Sequence, residues 1–288
     1  MNPILIIRLG EPPPSVQARR GDFESWIEQG MPGSDLRFEV VNVPEGEALP
    51  EAESLSGIVI TGSASMVSAR EGWSEDTAEW LASAIRSDLP MLGICYGHQL
   101  IAHALGGEVG PNPRGREIGT ATLRLEAEGD SLLGGLNSPL PVQTSHSEVV
   151  LRLPDGAVGL GETDLDPHHV YRIGDRIWGL QFHPEFDVDI MRGYIESREA
   201  VLIEEGLAPQ ALLSACEDSP EAALAPALPA APPSSSLMGS GGPGSAPGPT
   251  PGGGTFSDHA VDAPAIVTSS MTASKSSSVC PASRKSSS

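Results

Sequence analysis

The sequence predicts an α/β fold, a three-layer sandwich with a mostly parallel central sheet and helices on both faces. Three observations lead there. Over the first 216 of 288 residues, short β-branched runs alternate with helical stretches, the pattern of strands joined by covering helices. The early runs are apolar throughout rather than alternating, as strands buried on both faces must be. Beyond Cys216 the composition changes abruptly: Gly, Pro, Ser and Ala supply 48 of the 72 residues from Glu217 to Ser288.

Element by element, Pro3–Ile7 reads as a buried strand. Gly21–Gln29 reads as a helix with Phe23, Trp26 and Ile27 on one face. Strands at Phe38–Val43 and Gly57–Ile60 follow, then a helix over Ser74–Ser87 with Trp80, Leu81, Ala84 and Ile85 as its apolar positions. Met91–Ile94 is a short buried strand, and a helix over Gly97–Leu105 begins straight after it. From Thr120 the strands come closer together, at Thr120–Glu126, Val149–Leu153, Ala157–Gly161, Val170–Ile173 and Ile177–Phe182. Turn signals such as Pro154-Asp155-Gly156 separate them, so they read as antiparallel hairpins or edge strands. A helix over Val188–Glu205 closes the globular part, and 1–216 is the expected catalytic domain. The segment 217–288 is an expected disordered tail, because its composition offers too little apolar surface to offset the entropy of ordering.

Charge and composition narrow the function. The 38 acidic and 17 basic side chains give a net charge of −21, which argues against nucleic-acid or anionic-membrane partners. All fourteen basic residues before Cys216 are arginines, the only lysines being Lys275 and Lys285. That excludes a lysine-bearing phosphate loop and Schiff-base chemistry from the first 216 residues. Cys95, Cys216 and Cys280 are too few and scattered for a disulfide framework or a tetrathiolate zinc site. No apolar run approaches the length of a membrane span or a signal-peptide core, and the reading is cytoplasmic. No cofactor is implied.

The most informative stretch is Gly93-Ile94-Cys95-Tyr96-Gly97-His98-Gln99. A buried strand running into Gly-x-Cys-x-Gly and at once into a helix is the nucleophile-elbow pattern with sulfur in place of oxygen. Side chains at 93 and 97 would collide with neighbouring backbone in so tight a turn, while Cys95 is held strained and outward. At the helix N-terminus the partial positive charge favours its thiolate. A thiol nucleophile calls for a base and an orienting partner. The apolar run Trp178–Phe182 ends in His183-Pro184-Glu185, and residues two apart on an extended segment share a face, so Glu185 lies beside His183. In a parallel sheet, strand ends deliver both groups to one crevice. The Tyr96 N–H and the Thr61-Gly62-Ser63 loop supply donors for a developing oxyanion.

Together with Thr144-Ser145-His146-Ser147, these residues resemble the class I (triad) glutamine amidotransferases, closest in flavour to the glutaminase domain of GMP synthase and stand-alone proteins like it. The resemblance spans about residues 1–205 and implies a flavodoxin-like three-layer fold. It implies hydrolysis of the glutamine amide through a γ-glutamyl thioester on Cys95, with His183 as base and acid and Glu185 orienting it. It places Gly62 and Tyr96 in the oxyanion hole, Gln99 at the substrate's amino-acid end, and the backbone of Ser145, His146 and Ser147 on its α-amino and α-carboxylate groups. Many relatives carry Gly-Gly-Pro where this chain has Thr61-Gly62-Ser63. No synthetase domain follows, so ammonia is expected to go to a separate synthetase subunit or to water. Two alternatives remain open, a γ-glutamyl peptidase using the same triad and a non-catalytic regulatory module.

The remaining features read as structural. His98 and His103 lie about 140° apart around a helix, and His168 and His169 point to opposite sides of a strand, one of them exposed, so no metal site is expected. Arg114-Gly115-Arg116-Glu117 reads as a solvated charged loop.

Overall fold

The structure, a computed structural model, describes residues 2–31 and 35–220. In chain order the first half contains β1 (Ile4–Arg8), α1 (Pro14–Arg20), α2 (Phe23–Gly30), β2 (Phe38–Asn42) and β3 (Gly57–Ile60). It continues with α3 (Gly72–Ala84), β4 (Met91–Ile94) and α4 (Tyr96–Ala104). The second half contains β5 (Glu108–Pro111), β6 (Glu117–Leu125), β7 (Leu140–His146), β8 (Glu148–Arg152), β9 (Ala157–Glu162), β10 (Val170–Ile173) and β11 (Ile177–Leu180). Three helices close it: α5 (Val188–Ser197), α6 (Glu199–Glu204) and α7 (Pro209–Ala215).

Nine strands form one sheet in the order β2-β1-β3-β4-β11-β10-β9-β6-β7, and β5 pairs with β8 in a separate ribbon. The first five strands of that order run parallel, the remaining four antiparallel. The parallel strands feed alternate side chains to opposite layers. Ile4, Ile6, Val59, Leu92 and Ile94 pack towards Phe23, Trp26, Ile190 and Ile195 of α2 and α5. Leu5, Ile7, Ile58, Ile60 and Met91 pack towards Ala78, Leu81, Leu100 and Ile101 of α3 and α4. β4 lies between β3 and β11, in register such that Gly93 faces both Ile60 and Gly179. The chain therefore leaves the middle of the sheet at Cys95.

The closing helix departs from its expected course. Instead of running unbroken over Val188–Glu205, it stops at Ser197 and restarts at Glu199, with Arg198 between at φ −111°, ψ 9°. Four elements carried no readable signal: α1 starts on the last of three consecutive prolines, β5 and β7 are interrupted by polar residues or proline, and α7 is a short helix starting at Pro209.

The chain beyond Cys216 begins in contact with the sheet. Gln143 of β7 donates its side-chain amide to the Glu217 carbonyl at 2.8 Å and to Ser219 Oγ at 3.1 Å. The Glu217 N–H donates to Thr120 Oγ1 of β6 at 3.1 Å. Glu217 and Ser219, past the expected boundary at 216, are thus held by side chains of the edge strand β7 and its neighbour β6. The rest of the expected tail, 221–288, lies outside the described residues.

Candidate active site

β4 ends inside the sheet, and the backbone reverses at Cys95 into α4. Cys95 takes φ +51°, ψ −101°, a region that costs a side-chain-bearing residue about 1–3 kcal/mol. The glycines on either side make that turn possible. A Cβ on Gly93 would sit 2.5 Å from the Gly97 backbone, and one on Gly97 would sit 2.5 Å from the Ile60 carbonyl. The Cys95 N–H donates to the Leu180 carbonyl at 2.8 Å, and the Gly97 N–H to the Thr61 carbonyl at 3.2 Å. The elbow is thus tied to both neighbouring strands, with the Cys95 sulfur at the positive end of α4. At the first helical position the Tyr96 N–H is one of those a helix leaves without an intrahelical acceptor. The Tyr96 ring turns inward, its hydroxyl 2.7 Å from Ser74 Oγ, and burial pushes that phenol up to about 12.

β11 runs parallel beside β4 and leads to His183 three residues past its end. His183 Nδ1 lies 2.8 Å from Glu185 Oε1, and both side chains are buried. The imidazole stacks on Phe186, with centroids 4.0 Å apart and planes at 15°. Burial works against its charged form, yet the charge of Glu185 and the adjacent Cys95 outweigh burial and raise it to about 10. A Cβ on Gly62 would come within 3.1 Å of His183 Cε1 and 3.7 Å of Cys95 Cβ. Glycine at 62 therefore lets the β3 loop, the sulfur and the imidazole meet at one point.

The wall of the cleft comes from the antiparallel half. An open cleft of about 220 Å³ is lined by Cys95, Tyr96 and Gln99, by Ser145 to Glu148, by Ser63 to Met66, and by Arg116, Arg198 and Val201. Cys95 Sγ lies 3.9 Å from the Ser145 carbonyl. Ser147 Oγ lies 3.7 Å from Met66 Sδ. Gln99 is buried, and its amide donates to the Glu148 carbonyl at 2.8 Å and to Gln181 Oε1 at 3.0 Å. Gln99 thus fastens the cleft wall to α4. Of the expected site residues, Cys95, Tyr96, Gln99 and Ser145–Ser147 line this opening; Gly62 adjoins Cys95 and His183, and His183 pairs with Glu185, but these three do not line it. The His146 ring points to Glu117.

That side chain enters a buried polar network outside the sequence expectation. His146 and Glu117 are directly opposed on β7 and β6, and His146 Nε2 lies 3.0 Å from Glu117 Oε2. Thr163 Oγ1 donates to the same oxygen at 3.1 Å. His169 Nδ1 lies 3.1 Å from Asp166 Oδ2 and 3.7 Å from Glu117 Oε2. Donor atoms of Glu117, His146 and His169 all lie within 4.8 Å of one another. Burial raises both carboxyls, but His146 and His169 outweigh it, holding Glu117 below its usual range and Asp166 at about 2. Glu117 is therefore not part of a solvated loop but the first residue of β6, whereas Arg116 lies in the loop before it and pairs with Glu205 at 2.7 Å. Nor do His168 and His169 flank a strand with one exposed. They occupy the bend before β10, where His168 Nδ1 meets the Val150 carbonyl at 2.7 Å and His169 is fully buried.

Residues 21–199 match the family model described as glutamine amidotransferase class-I. The chain is 39% identical over 139 residues to a glutamine-hydrolysing GMP synthase of Porphyromonas gingivalis, covering 48% of this chain and 26% of that protein. It is 33% identical over 188 residues to a putative glutamine amidotransferase of Saccharomyces cerevisiae, covering 59% of this chain and 71% of that one. The match thus spans about a quarter of the bacterial GMP synthase and most of the yeast protein. A solved glutamine amidotransferase of Thermotoga maritima shares the fold at a TM-score of 0.60 with 20% identity, covering 74% of this chain and 90% of the other. One from Methylobacillus flagellatus aligns at 0.57 with 24% identity, over 72% and 79% of the two chains.

Proposed function

The chain belongs to the class-I glutamine amidotransferase family, and we propose that it hydrolyses the side-chain amide of glutamine to glutamate and ammonia through a thioester on Cys95. The reading rests on one observation above others: a positive-φ cysteine at a helix N-terminus beside a buried histidine whose far nitrogen is fixed by a carboxylate.

In this reading the Cys95 thiolate attacks the amide carbon, and the oxyanion that develops is met by the N–H groups of Gly62 and Tyr96. His183, charged in the resting site, gives its proton to the departing amine as the C–N bond breaks. Water then enters, His183 takes its proton, and the thioester opens to glutamate and free thiolate. Glu185 holds the ring throughout and favours the imidazolium. Gln99 and the Ser145–Ser147 backbone bind the amino-acid end, and Gly62, Tyr96 and those residues form one substrate subsite. The unit works as a single cytoplasmic domain within residues 1–216, and the ammonia passes to a separate synthetase subunit or to water.

Hydrolysis of γ-glutamyl peptides is the second reading. It is favoured by a cleft that continues past Cys95 to Arg198 and Val201. Ammonia release from glutamine, measured beside amine release from a γ-glutamyl dipeptide, separates the two. A glutamine-analogue diazoketone should label Cys95 stoichiometrically, not label Cys95→Ser, and label His183→Ala slowly. An unreactive Cys95 in folded protein would instead favour a regulatory module.

A further inference from the structure

Two guanidinium groups line the cleft that holds Cys95. Arg116 is matched, since its Nε and Nη2 donate to the two carboxylate oxygens of Glu205 at 2.7 and 2.9 Å. Arg198 is not. It is half-buried at the break between α5 and α6, with its guanidinium carbon 4.7 Å above the Tyr194 ring. Its one hydrogen bond is a 3.5 Å contact to Ser197 Oγ, and among the described residues no carboxylate pairs with it. Burial disfavours its charge, Tyr194 offsets part of this, Arg116 opposes it and Cys95 supports it. In a chain of net charge −21, a partly desolvated arginine without an acid is a group awaiting an anion.

The other walls agree with an amino-acid ligand. Glu148 lines the same cleft and is held by the N–H and hydroxyl of Ser68, without pairing with Arg198. The cleft thus offers separated acidic and basic groups, suited to a zwitterion. Met66 and Val201, 38% and 44% exposed, give it an apolar border.

We propose that Arg198 is the receptor for a carboxylate of the substrate, so that the cleft selects γ-glutamyl compounds by an anionic group remote from the bond that breaks. This rests on the hydrolase reading above. Two sources present that chemistry: the α-carboxylate of the glutamyl unit itself, and the terminal carboxylate of a γ-glutamyl peptide's leaving group. Arg198 moves no proton in either case, and its effect belongs in KM.

The test compares wild type with Arg198→Met, which keeps the apolar stem over Tyr194, and Arg198→Gln. The substrates are glutamine, glutamine with its α-carboxylate amidated, a γ-glutamyl dipeptide, and that dipeptide with its C-terminus amidated. Thermal unfolding checks that each variant is folded. In wild type, amidating the recognised carboxylate should lower kcat/KM about 100-fold, mostly through KM. In both variants that discrimination should collapse to within a few-fold. Which amide is discriminated against identifies the source. Variants that fold yet reject both amides as strongly as wild type overturn the proposal.

Calorimetric binding to Cys95→Ser protein separates failure of the two readings. If wild type turns over nothing, but that protein binds the acid over the amide only with Arg198 present, the hydrolase reading fails and the carboxylate receptor stands. Equal binding of acid and amide, or binding of neither, removes the receptor.

Discussion

The parallel and antiparallel halves of the sheet build their shares of the cleft by different means. In the parallel half, β3, β4 and β11 place Gly62, Cys95 and His183 by backbone geometry, through glycines where any side chain would clash and a helix that starts inside the sheet. In the antiparallel half, the Ser145–Glu148 wall is placed by a buried polar network running from Glu117 and His146 to His169 and Asp166. Backbone geometry tolerates almost no substitution but is indifferent to protonation. A polar network tolerates conservative replacement of volume but depends on every charge being present. In the proposed reaction the first half holds the reacting atoms and the second shapes what they meet.

The largest effect should follow from breaking the elbow. Cys95→Ser should lower kcat by about 10⁴-fold or more with little change in unfolding temperature. Gly97→Ala should instead unfold the protein, by about 3 kcal/mol or more, because the new methyl would stand 2.5 Å from the Ile60 carbonyl. Circular dichroism melts beside ammonia assays check both, and a well-folded Gly97→Ala would break the contrast.

Next comes Glu185→Gln, expected to cost about 10²–10⁴-fold in kcat. His183 is raised to about 10 in the folded protein, so its stabilisation is complete below its ordinary value near 6.5 and is lost as pH rises towards 10. The alkaline limb of the pH–rate profile should accordingly move from near pH 10 towards neutrality in the variant, and no movement would count against the ion pair.

Glu117→Gln should act more gently and on the other parameter. It removes the charge facing His146 and His169 at a buried site, costing about 1–3 kcal/mol, and should raise KM about 10-fold while kcat changes little. A fall in kcat with KM unchanged would blur the division between the halves.

The smallest effect concerns His98, buried beneath the elbow and pushed down by that burial to about 3. Its folded value lies below the unfolded one, so stability should fall as pH drops from 6.5 towards 3, by about 1 kcal/mol over the first unit. Asp166 adds nothing to this slope above its ordinary value of 3.8, since its contribution is lost only as pH falls from there towards 2. His98→Asn should flatten the slope in urea titrations at pH 6.5 and 5.5.

The same division explains what could be read from the sequence. Gly93-x-Cys95-x-Gly97 and His183-Pro184-Glu185 are local signals, because turn geometry and strand alternation act over a few residues. The apolar runs of β3 and β4 likewise announce themselves. Glu117, His146 and His169 are 29 and 23 residues apart in turn, and only strand pairing makes them neighbours. Arg198 stood within an apparently continuous helix, and the break that turns it to the cleft depends on packing of α5 and α6 against their surroundings. β7 lacked an apolar run because Gln143 and Thr144, on opposite faces of the strand, are both buried as polar side chains satisfied by hydrogen bonds.

Gln143 also joins the two ends of a mechanical path. Its carbonyl receives the His183 N–H at 2.8 Å, while its side-chain amide holds Glu217 and Ser219. A chain shortened after Cys216 would leave that buried amide without its acceptors one residue's width from the histidine backbone. A chain shortened after Pro220 would keep them. Where the protein is trimmed for expression or cut by a protease should thus be felt at His183, although the cut itself falls some 35 residues downstream.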